Sequence, residues 1–201
     1  MPEERITSPS GKILHQQATR TTTPKESSEA KVIRIALKRK TRLEENEAYL
    51  ADANVAAFLK AIAEAEGGGY DFKYGAVKGK RNDPWRFTDT STHPGAGYGG
   101  RTTAAGMYQI TIDTWREHGG RMGLSDFAPK TQDLIAVEII RSIGVIDKVK
   151  AGNIFETMPQ VAKKWAALPK GPGLGNYWPP QPYVSYEAFL ATYKAAGGSV
   201  R

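Results

Sequence analysis

Apolar residues recur with helical spacing around Phe58–Glu66 (FLKAIAEAE), where Val55, Phe58, Leu59 and Ile62 fall on one face. Asn54 stands where an N-cap is expected, and Gly67–Gly69 stop the pattern at once. Just upstream, residues 41–53 (TRLEENEAYLADA) also read as helix, with Leu43, Ala48, Tyr49 and Leu50 on the apolar side. Before them, Ile33, Ile35 and Leu37 alternate with Arg34, Ala36 and Lys38 in KVIRIALKRK (Lys31–Lys40). That alternation predicts a strand, either for a partner's sheet edge or as a local linker patch.

Beyond the glycines, residues 67–103 are rich in Gly, Pro, Thr and aromatics. Short strands or hairpins are expected there, around Tyr70–Val77 and Trp85–Asp89. From Ala105 the helical period returns, with helices predicted over Ile112–His118, Lys130–Arg141, Gly144–Lys150, Ile154–Ala167 and Ser185–Ala196. Gly and Pro punctuate them. Residues 1–30 are polar, and TRTTTPKESSEAK (Thr19–Lys31) lacks the apolar surface to fold alone. The pattern divides the chain into an extended, polar and basic arm over 1–50 and a folded domain over 51–201. No internal repeat is visible.

Composition narrows the function. The chain has 201 residues, room for one domain with an appendage, and carries a net charge of +7. Nucleic acid, bacterial cell wall or an acidic protein surface would each suit that charge. No zinc-finger, RNP-like or basic-zipper pattern supports nucleic acid, so none is expected as a partner. No apolar run approaches the roughly 18–20 residues of a membrane span, so no membrane insertion is expected. The start of the chain lacks a signal-peptide core, which predicts no Sec-type export address. Cysteine is absent, and His15, His93 and His118 show no metal-ligand spacing. The strings GAGYGG (Gly95–Gly100) and GPGLG (Gly171–Gly175) do not lead a strand into a helix, so they read as mobile loops rather than phosphate cradles. No metal or other cofactor is expected. Tyr98 lies in the first loop, and Tyr177 and Trp178 follow the second. Aromatic-bearing loops on either side of a cleft would suit a carbohydrate chain.

Glu66 is the leading candidate for chemistry. A carboxylate in the last helical turn meets the negative end of the helix dipole, which disfavours ionisation. A carboxyl kept protonated is what a general acid for glycoside cleavage requires. Glu64, two residues earlier, points elsewhere, so one of the pair should face solvent and the other a cleft. Position alone leaves open that Glu66 is only a solvated terminal residue. Asp71 and Asp89 could each supply a second carboxylate, or could simply be turn and capping residues. His93, before Pro94, reads as a loop hydrogen-bonder or as a proton-transfer group.

Several strings resemble, in order and in comparable spacing, the lambda-type lysozyme-like lytic transglycosylases. They are FLKAIAEAEG (Phe58–Gly67), GYDFKYGA (Gly69–Ala76), FTDTSTHP (Phe87–Pro94) and TAAGMYQI (Thr103–Ile110). GLSDFAPKTQD (Gly123–Asp133), KWAALPKG (Lys164–Gly171) and YKAAGGSVR (Tyr193–Arg201) continue them. The resemblance covers residues of about 54–201. It implies an α+β, lysozyme-like fold, mostly helical, with a small antiparallel sheet and a saccharide-binding cleft. It also implies the glycan strands of peptidoglycan as substrate, cut between N-acetylmuramic acid and N-acetylglucosamine with a 1,6-anhydro product. It puts the family's catalytic glutamate on Glu66, acting as acid and then as base. Asp71, Thr88, Asp89, Tyr108, Gln109 and Tyr177 are the substrate-binding candidates, and Pro94–Thr103 and Pro169–Tyr183 match the cleft lips. Two departures concern subsite contacts. Glu64-Ala65 replace the aromatic and serine that precede the glutamate in the lambda member, and NYWPPQPY (Asn176–Tyr183) enlarges the lower lip.

The lambda member lacks the first fifty residues. They predict a tether to a tail hub, spike or baseplate, which would place the enzyme on a virion for wall entry. A free lysis enzyme released from the host cytoplasm through a holin-type lesion, a hydrolytic muramidase, and an inactive structural tail component are the alternatives.

Overall fold

A computed structural model describes residues 26–201. Its first helix, α1, covers Ser28–Leu50, and α2 covers Ala53–Glu66. After an irregular stretch come α3 (Ile112–Thr114), a π-helical turn (Trp115–Gly119) and α4 (Gly120–Met122). The central α5 (Pro129–Ser142) is followed by α6 (Ile146–Lys150), α7 (Ile154–Val161) and α8 (Tyr186–Ala195). Helix α1 runs across the boundary between two compact units, one ending at Ile33 and the other spanning Arg34–Arg201.

The expected strand over Lys31–Lys40 is therefore a helix, and the extended arm does not hold for residues 28–50. Ala, Lys, Arg and Glu dominate the stretch, and helix propensity outweighs the alternation of only three large apolar residues. Residues 1–25, and with them most of the Thr19–Lys31 prediction, lie outside the described residues. The division is also not at residue 50, because the second half of α1 belongs to the main unit. There the Glu138 carboxylate of α5, fully buried, accepts hydrogen bonds from Arg42 Nε (2.9 Å) and Nη2 (2.7 Å) and from Asn46 Nδ2 (2.8 Å). Leu43, Tyr49 and Leu50 pack against the core beside it.

Helix α2 starts two residues earlier than predicted. Its N-cap is Asp52, which accepts from the backbone N–H groups of Asn54 (3.0 Å) and Val55 (3.2 Å). Asn54 instead clasps distant segments. Its amide donates to Lys150 O (2.8 Å), and its Oδ1 accepts from Ser199 N–H (2.8 Å). The predicted apolar face of α2 is buried through Val55, Phe58, Leu59 and Ile62. Phe58 meets the edges of Phe189 and Tyr193 on α8, with ring centres 5.2 and 6.3 Å apart. Each such side chain contributes about 1.5–3 kcal/mol on full burial. At the far end Gly67, with φ +64°, closes the helix by donating to Ala63 O and Glu64 O.

The small antiparallel sheet is not formed among the described residues. Only isolated antiparallel bridges occur, Phe72↔Arg86, Lys73↔Ala105, Ala105↔Ile110 and Gly171↔Leu174. Turns interrupt the segment too often for a ladder, and side chains replace it. Asp83 accepts from Val77 N–H and Trp85 N–H, both at 2.9 Å. Gln132 of α5, fully buried, accepts from Met107 N–H (2.8 Å) and donates to Tyr70 O and Phe127 O (both 2.9 Å). Gly106 makes that approach feasible. Its φ is +77°, and a Cβ there would stand 2.1 Å from Gln132 Oε1. Gly106→Ala is expected to destabilise the protein by at least about 2 kcal/mol, combining left-handed strain with displacement of Gln132. Urea unfolding at neutral pH checks it, and an unchanged midpoint would contradict this account of the lobe.

Candidate active site

Glu66 occupies the last turn of α2, and the C-cap glycine after it lets the chain leave the helix abruptly. Its side chain enters a cleft of about 880 Å³. The α2 end supplies Ala65–Gly67, the irregular lobe Phe72–Ala76, and the segment after α7 supplies Lys164–Ala167. Arg101 and Thr102 come from the upper lip, and Gln181, Pro182 and Tyr183 from the lower. Both loops read from the sequence as lips therefore contribute walls.

The Glu66 carboxyl has its pKa pushed up to about 7. Burial is the cause, since charge is costly where water is excluded; the Ala167 N–H, donating to Oε1 at 3.4 Å, opposes it weakly. Helix-end position, the reason the sequence suggests, is thus not what dominates. Glu64 makes the contrast. It is exposed, pairs with Lys60 Nζ at 2.8 Å, and has its pKa lowered by that hydrogen bond. One glutamate faces solvent and the other the cleft, as the helix geometry predicts.

Among the described residues Glu66 is the only carboxylate lining the cleft, whereas Lys73, Arg101 and Lys164 line it with positive charge. The two aspartates considered as a second carboxylate lie elsewhere. Asp71 is paired with Arg86 Nη2 at 2.6 Å, on the wall of a different pocket beside Lys60 and Glu64. Asp89 is exposed and accepts from Ser91 N–H at 2.8 Å, and hydrogen bonds from Ser91 lower its pKa. That is the Asx-turn alternative. Thr88 is exposed and does not line the cleft.

Gln109 does line the cleft. Its φ is +48°, rare for a side-chain-bearing residue, and its amide Nε2 donates to Gly106 O at 3.0 Å. Tyr108 is instead a core residue. Its hydroxyl donates to Asp133 Oδ1 at 2.7 Å, and Tyr70 OH donates to the same atom at 2.9 Å. Burial raises the Asp133 pKa, against the two phenol hydrogen bonds. None of these three side chains lines the cleft, although Tyr108 lines a smaller cavity. Tyr177 stands outside the cleft wall, its ring between Lys170 Nζ (5.3 Å) and Lys163 Nζ (5.9 Å). Tyr98 packs edge-on against Trp85 at 5.7 Å. His93 is a loop hydrogen-bonder: Nε2 meets Ile110 O at 3.0 Å, and Nδ1 accepts from Gly95 N–H at 3.1 Å.

Sequence reasoning did not single out Lys73, Arg101, Lys164, Trp165 or the Ala167 N–H. Trp165 and Lys164 stood at the end of a predicted helix, where an aromatic beside a cation was a usable signal. The helix ends earlier, at Val161, and Trp165 is anchored by Nε1 donating to Tyr108 O at 3.2 Å. Among the described residues no group of three or more His, Cys, Asp or Glu is placed to hold a metal ion. No helix among them is long and apolar enough to cross a membrane.

The sequence matches the family model described as Endolysin over residues 56–200. It is 34% identical to the endolysin of Escherichia phage P2 over 163 residues, covering 72% of this chain and 93% of that one. Identity to the endolysin of Escherichia phage lambda is 33% over 119 residues, covering 57% and 72% of the two chains. Among solved structures, bacteriophage lambda lysozyme complexed with a chitohexasaccharide superposes with a TM-score of 0.61 and 29% identity, over 74% of this chain and 97% of that one.

Proposed function

This chain belongs to the endolysin family, and on that premise we propose that it cuts the glycan of peptidoglycan as a lytic transglycosylase. Its described fold is lambda-lysozyme-like and mostly helical. The observation that carries the proposal is the lone cleft carboxyl of Glu66, with a pKa near 7.

A carboxyl with that affinity for its proton can both give and take it near neutral pH. Protonated Glu66 gives its proton to the glycosidic oxygen as the bond from the muramoyl C1 to that oxygen breaks. The substrate's acetamido group stabilises the positive charge developing at C1. The muramoyl 6-hydroxyl then bonds to C1, and its proton returns to the Glu66 carboxylate. The product is a 1,6-anhydro ring, and no water is consumed. One carboxyl suffices, which fits a cleft with no second one among the described residues. The chitohexasaccharide complex of the lambda relative supports a cleft that accepts a linear amino-sugar polymer.

The docking of α1 on α5 through Arg42, Asn46 and Glu138 favours a helix that is part of the body over a free tether. We therefore read the protein as a lysis enzyme that reaches the wall after release from the host cytoplasm, rather than a tail or baseplate component. Digestion of purified peptidoglycan, with the products weighed, tests the chemistry. Anhydro-ended muropeptides, each lighter than its reducing counterpart by one water, are expected. Reducing ends would make the enzyme a hydrolytic muramidase, and no products would make the fold a structural one.

A further inference from the structure

A second cavity, of about 150 Å³, opens beside the cleft. The two share Gln109, Thr111, Lys164 and Trp165 in their walls, so they adjoin along one side. Its remaining wall comes from Tyr108 and Ile110, from Thr114 at the end of α3, from Glu117 and His118 in the π-helical turn, and from Ile139 of α5. A π-helical turn is an uncommon distortion that recurs at functional sites. The volume is far above the roughly 10–15 Å³ that one water needs.

We propose that this side pocket receives the peptide stem of the muramoyl residue, taking its lactyl group and first amino-acid unit. This rests on the glycan-cutting reading above. A linear, unbranched sugar polymer needs a cleft and nothing more. Peptidoglycan differs from such a polymer by one branch, the 3-O-lactyl peptide on every second sugar. A cavity adjoining the cleft along a shared wall matches that substrate's layout of a chain with a side branch.

The chemistry of the walls agrees. Thr111 and Thr114 hydroxyls, 2.9 Å apart, and the Gln109 amide offer donors and acceptors suited to peptide groups. Glu117 is occupied by Arg121, whose Nη2 lies 2.5 Å from it. Lys164, exposed at the junction of cleft and pocket, has no carboxylate partner among the described residues. The free charge of the pocket is thus positive, matching the stem's carboxylates. His118, 6% exposed, has an Nδ1 with no hydrogen-bond partner among the described residues, so this wall also holds unused polar capacity.

The test compares soluble glycan strands carrying their stems with the same strands stripped by an amidase, using the full chain. Wild type is expected to show a kcat/KM about tenfold higher on stem-bearing strands, mostly through KM. Thr114→Phe, which fills the pocket from a residue outside the cleft wall, is expected to bring the ratio near unity while leaving stripped strands unaffected. Thr114→Val, removing only the hydroxyl, is expected to lower the ratio part of the way, and serves if the larger substitution does not fold. Equal rates of wild type on both strands, or an equal loss on both in either folded variant, would overturn the pocket assignment alone. Failure of wild type to cut either strand would instead overturn the glycan-cutting reading.

Discussion

Glu66→Gln is expected to lower peptidoglycan cleavage by roughly 10²–10⁴-fold, the range associated with losing a positioned general acid–base. Glutamine keeps the shape of the side chain and can still accept the Ala167 N–H, but it has no proton to give. Turnover of the variant on purified peptidoglycan measures this, and wild-type turnover would remove Glu66 from the mechanism. The raised pKa adds two pH effects. The acid must be protonated to begin, so kcat/KM should fall as pH rises through about 7. Stability should follow the same proton. The folded carboxyl binds it more tightly than the ordinary value of 4.5, so its favourable contribution is complete below that pH and lost as pH rises through about 7. Melting temperatures of Glu66→Gln and wild type should therefore diverge between about pH 4 and about pH 8, in favour of the variant. Parallel profiles would contradict a buried, titrating Glu66.

Arg42→Ala should give the largest loss of stability. Glu138 is wholly buried and ordinarily would resist ionisation there; hydrogen bonds from Arg42 and Asn46 outweigh burial and hold its pKa below the usual carboxylate value. Removing Arg42 leaves a buried carboxylate with Asn46 and, at 3.5 Å, Arg121. Breaking a buried pair in this way costs about 3–5 kcal/mol. In a domain of this size that is a fall of roughly 10 °C in Tm. The sign with pH is opposite to that of Glu66. A lowered carboxylate pKa stabilises above its unfolded value, and the benefit disappears as pH falls through the folded value. The deficit of Arg42→Ala should consequently shrink in acid. Urea melts at neutral and acid pH measure both effects. A variant within about 0.5 kcal/mol of wild type would show that the Arg42–Glu138 pair adds nothing to stability.

The sequence carried the helical part of the fold well because periodicity and glycine stops act locally. The face of α2, the helix before Gly144 and the final helix lie within a residue or two of their predicted bounds. Lys31–Lys40 misled because three alternating apolar residues satisfy a strand pattern for the length of a strand, while the helix is decided by the composition around them. Glu66 and Gln109, both named from family strings, line the cleft. Tyr108, from the same string as Gln109, turns its hydroxyl to Asp133, since a tyrosine in such a string can as well bond a buried aspartate as a sugar. Asp71 and Asp89 looked like partners for Glu66 only until Arg86 and Ser91 were seen to hold them. Lys73, Arg101 and Lys164 come together only in the folded chain, from segments that share no local pattern.

The irregular lobe opposite the helices is positioned through Gln132, whose single amide reaches Tyr70, Met107 and Phe127. In a ladder of strands such bonds belong to the main chain and survive most substitutions. Here three of them belong to one side chain, so mutational tolerance is unevenly spread. Substitutions at exposed loop residues of the lobe should cost little, while those at position 132 and at the glycine facing it should cost much. Adaptation of the cleft can then proceed through its rim without moving the wall that faces Glu66.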